Sequence, residues 1–184
     1  MPLVPLLYAA AAVSLTAAAV FILTARREPA VRGLIERLPR ERISGTVLAV
    51  GALLWCIPNI RPIFMPDSPI QSLVVPLIVL AMVLAALFLN YLFARAVAAI
   101  LILGAHSVLK LGYPAGLPGY SLLAALVLLA GVIGIVISAK PYWLRDWFRL
   151  SFRLSAVRWS SVAFFLLLYG VSGFCALKIA GVLS

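Results

Sequence analysis

Few side chains in this chain could do chemistry in an apolar setting. His106 sits about one turn from Lys110 within an apolar stretch, where an imidazole can respond to protons or touch a haem or quinone. It is the sole histidine, so a bis-histidine haem site within the chain is excluded. Asn90 and Arg95 interrupt a long apolar run, and with His106 they make up any intramembrane polar site the sequence offers. The structural reading is preferred for all three: His106 bonded to a neighbouring helix or near the headgroups, and Asn90 and Arg95 capping a turn.

The acids argue in the same direction. Glu28, Glu36, Glu41, Asp67 and Asp146 all fall outside the apolar stretches. Proton- and cation-coupled carriers place a carboxylate at membrane depth, so that class loses weight. Cys56 and Cys175 lie in apolar segments without neighbouring His or carboxylates and read as packing residues. No glycine-rich phosphate loop, G-x-S-x-G, H-E-x-x-H, C-x-x-C or carboxylate pair occurs. The chain is therefore expected not to be an enzyme, with no catalytic residues, metal or cofactor.

The elements that hold these residues are membrane spans. Of the 184 residues 65% are hydrophobic and 11% charged, with a mean hydropathy of +1.18. A soluble domain carries roughly 25% charge. A span needs about 20 apolar residues, and the pattern predicts six: 3–24, 43–60, 72–90, 96–111, 119–139 and 161–182. Together they form one all-α polytopic membrane domain over 1–184. The stretch 72–111 is read as a hairpin turning near Tyr91 to Arg95, which leaves 96–111 a short span.

That parity comes from the basic residues. Eleven of the 15 Lys and Arg fall in two segments, Arg26 to Arg42 and Lys140 to Arg158. Both are expected in the cytoplasm by the positive-inside rule, so an even number of spans separates them and both termini lie outside. A bacterial inner membrane is the expected location. The net charge of +10 flanks apolar spans, which makes anionic phospholipid the expected partner and not nucleic acid.

Both basic segments are amphipathic. In 141–157, Trp143, Trp147, Leu150 and Leu154 recur on one face, and Arg145, Arg149 and Arg153 form the opposing stripe. That is the pattern of a helix lying in the interface, its indoles at headgroup depth and its arginines toward phosphates. In 29–39, Val31, Leu34, Ile35 and Leu38 share a face, with Pro29 and Pro39 as start and stop. Gly131 with Gly134 and Gly170 with Gly173 are expected to allow close helix approach.

Two functions are compatible with these features. The first is a non-catalytic membrane-embedded subunit, scaffold or assembly factor of a larger complex, partnered by other integral membrane subunits. The second is a small autonomous transporter or channel for a neutral or anionic solute, built from polar residues such as His106, Asn90, Ser107, Ser138 and Ser172.

Overall fold

The computed structural model describes residues 3–25, 29–37, 41–60, 70–88, 91–116 and 119–181, and all regular structure among them is helical. Eight helices follow in order: α1 (Leu3–Leu23), α2 (Pro29–Arg37), α3 (Arg42–Ile60), α4 (Ile70–Phe88), α5 (Leu92–Gly112), α6 (Tyr120–Ala139), α7 (Tyr142–Arg153) and α8 (Ser155–Ile179). Four of them, α1, α5, α6 and α8, are long and apolar enough to cross a membrane. In α3 and α4 the apolar stretches are shorter, Ile43–Ile57 and Val75–Leu84. Residues 61–69, which follow the second predicted span, lie outside the described residues, as does Asn90.

Two close pairs, α1 with α8 and α5 with α6, build the centre. In the first, Phe21 stacks on Phe165 while Leu3 and Leu7 share a core with Cys175 and Ala176. The pair is therefore antiparallel, and both chain ends come to one end of the bundle. In the second, a Cβ on Gly134 would come within 2.9 Å of the Ala98 carbonyl oxygen, and one on Gly131 within 3.1 Å of Ala105 Cβ. Glycine lets these antiparallel backbones touch, which is how helices associate without a hydrophobic driving force between them.

Helix α3 lies on α5 and runs parallel to it. A Cβ on Gly45 would sit 2.6 Å from Phe93 N, whereas one on Gly104 would be 3.8 Å from the Trp55 ring. Residues 45 and 93 are thus level, and so are 55 and 104. Since α3 and α5 start at the same end, α4 returns the chain between them. It does so as an edge helix whose main packing is on α3.

Three features differ from the sequence expectation. The short fourth span is instead the 21-residue α5, because Tyr91 is left-handed (φ 60°) immediately before it and the Arg95 N–H already bonds to the Tyr91 carbonyl at 3.2 Å. Arg95 is therefore in the first turn of α5. The segment 141–157 is cut at Leu154, an extended residue (φ −109°, ψ 113°), so α7 ends at Arg153 and α8 begins at Ser155. Finally, Gly170 and Gly173 have nothing within 4 Å of an added Cβ. They face outward and take no part in close helix contact.

Candidate functional site

The end of the bundle opposite the chain termini gathers the cations. Helices α3, α5 and α8 start there, α6 finishes there, and α2 and α7 pack against each other across it. Arg37, Arg95, Lys140, Arg145, Arg149, Arg153 and Arg158 belong to this end; Lys110 and Lys178 belong to the other. The two basic segments are therefore neighbours. Glu36 Oε2 of α2 lies 3.5 Å from Arg149 Nη2 of α7 and ties them together.

Helix α7 is held by its flank. Leu144, Phe148 and Ser151 are buried against the bundle. Trp147 turns the same way: its Nε1–H donates to Ser161 Oγ at 3.1 Å, and its ring lies 5.0 Å from Phe21 and 6.4 Å from Phe165. Phe21 also meets Phe148 at 5.6 Å. Aromatic pairs of this kind contribute about 0.5–1.5 kcal/mol each beyond their buried area. The sequence placed Trp147 beside Trp143 at headgroup depth. The structure instead uses Trp147 as the pin that folds α7 back onto α8 and leaves Trp143 exposed, because the buried sector is rotated toward Leu144 and Phe148.

The arginine stripe is also divided. Arg145 Nη2 lies 3.2 Å from Asp146 Oδ1, and Arg149 has Glu36. Arg153 is exposed. Outside the stripe, Lys140 Nζ sits 5.6 Å from the Trp143 ring centre, and the Arg158 guanidinium 5.9 Å from that of Trp159. The sequence missed these two cation–π pairs. Their signal was the adjacency of a cation and a Trp at each end of the amphipathic segment.

Among the described residues, Arg95 and His106 do not come together. Arg95 and His106 are both exposed on α5, eleven positions and so about 16 Å apart along its axis. With Lys110 they mark one outward edge of that helix, basic at both ends. Ser107 and Ser172 are buried on α5 and α8, and Ser138 is exposed on α6. The described residues do enclose a cleft of about 90 Å³ among α1, α3, α5, α6 and α8, bounded by residues such as Ala9, Val13, Trp55, Gly104 and Leu168. Its lining hydroxyl, Ser14 Oγ, donates to the Ala10 carbonyl at 2.7 Å. No protein family, curated protein or solved structure matches the chain.

Proposed function

We propose that this chain is a six-span, non-catalytic subunit, scaffold or assembly factor of a larger complex in a bacterial inner membrane, with α2 and α7 in the cytoplasm and both termini outside. The six crossings are supported by the parallel course of α3 and α5. Because α5 is of spanning length and α3 keeps level with it from Gly45 to Trp55, the intervening α4 recrosses the same thickness. At 19 residues each, α3 and α4 reach about 28 Å, close to the hydrocarbon core of about 30 Å. Orientation follows from the cations gathered at the α2–α7 end.

The observation that carries the subunit reading is α4. Leu73, Val75, Leu77, Val79, Leu80, Val83 and Leu84 are exposed on it, with Ile78 turned inward. Held mainly by α3 and carrying Pro76 within its length, it is the helix on which a neighbouring subunit adds to the bundle. The central cleft favours the same reading over a solute path, since its walls are apolar and Ser14 is satisfied within its own helix. A photo-crosslinker at Leu77 or Val83 is expected to capture another integral membrane protein at a defined mass, whereas one at Leu128 on α6 captures lipid. Equal lipid capture at all three positions would sink the proposal.

A further inference from the structure

The charges of the α7 region balance unevenly. Of its five cations, Arg145 and Arg149 face Asp146 and Glu36, whereas Lys140, Arg153 and Arg158 have no carboxylate partner among the described residues. Lys140 and Arg153 are exposed and Arg158 is half-buried, and the three stand in sequence around exposed apolar side chains. Trp143 is 46% exposed and Leu150 43%, on one face of α7; Leu154, at the break after α7, is 51% exposed, and Trp159, near the start of α8, 55%. Trp147, from the same sequence pattern, is half-buried by contrast and hydrogen-bonded to Ser161. Two of the unmatched cations stack on the two exposed indoles. A ring at glycerol depth with a cation over its face meets a lipid at two levels, apolar below and phosphate above.

We propose that these residues form a binding surface for anionic phospholipid in the adjoining leaflet, with Lys140, Arg153 and Arg158 facing the headgroup phosphates and Trp143, Leu150, Leu154 and Trp159 entering the interface. Charge complementarity selects the occupant: three positive charges lacking internal partners, beside an apolar strip, fit a negatively charged lipid surface. Arg149 instead ties α7 to α2 through Glu36, and Arg145 is paired within α7 to Asp146. The inference rests on the spanning reading only in placing α7 at a membrane face.

The test uses the full-length protein in nanodiscs of phosphatidylcholine and phosphatidylglycerol, with the retained lipids counted by native mass spectrometry. Phosphatidylglycerol is expected to be enriched several-fold over its bulk ratio. K140Q/R153Q/R158Q is expected to abolish the enrichment, K140R/R153K/R158K to keep it, and R145Q/R149Q to leave it nearly unchanged. Quenching by headgroup-labelled lipid is expected to fall in Trp143→Phe and Trp159→Phe and to persist in Trp147→Phe. Retention at the bulk ratio in the wild type, equal enrichment in the triple Gln variant, or equal loss of quenching in Trp147→Phe would each overturn the proposal. Resistance of every variant to alkaline extraction reports separately on membrane insertion.

Discussion

Trp143 and Trp147 are four residues apart on one helix and do different work. Trp147 donates to Ser161 and packs on Phe21, so Trp147→Phe removes the hydrogen bond together with part of the ring contact. Trp147→Phe is expected to lower stability by more than about 0.5–1.5 kcal/mol, the net worth of one hydrogen bond, because ring contact is lost with it. Ser161→Ala is expected to cost less, about 0.5–1.5 kcal/mol, and the double variant less than the sum of the two. Thermal unfolding in nanodiscs gives this double-mutant cycle, and full additivity would deny that the two residues share one interaction. Glu36→Gln has a smaller expected effect, below about 1 kcal/mol, because the Arg149 side chain is 48% exposed. At this scale the sequence showed an amphipathic helical segment rich in Trp and Arg. It could not separate the two tryptophans, since both satisfy the same helical period and the difference lies in which flank of α7 meets Phe21.

Helix contacts divide the glycines. Gly45 and Gly134 would each place a Cβ under 3.0 Å from backbone atoms of α5, so Gly45→Ala and Gly134→Ala force helices apart. Both are expected to lower the melting temperature sharply. Gly170→Ala and Gly173→Ala meet open space and are expected to be neutral or to stabilise by up to about 1 kcal/mol through helix propensity. Unfolding of the four variants under one set of conditions checks the ranking, and a melting temperature for Gly134→Ala at or above wild type would contradict the close crossing. The sequence pointed to Gly131 and Gly134 by their small-residue spacing. Gly170 and Gly173 have that same spacing, so only tertiary placement tells them apart. The break at Leu154 was illegible for a related reason: no Gly or Pro marks it, and α7 is turned there by the Trp147–Ser161 contact fourteen residues apart.

At the scale of the whole molecule, the apolar stretches made the long helical segments readable, because span length is a property of the chain itself. The order of packing was not readable, and neither was the edge position of α4, since apolar helices of similar composition do not encode their neighbours. Single cysteines at Arg37 and Arg153 are expected to react with an impermeant reagent from the same membrane face. Labelling from opposite faces would require an odd number of crossings between α2 and α7. The subunit reading itself is tested most directly by gentle extraction into lipid nanodiscs followed by native mass measurement. The account predicts a stoichiometric complex with a second membrane protein, which the crosslink from α4 connects to Leu77 or Val83; a clean monomer or homo-oligomer, with no second chain retained, would contradict it.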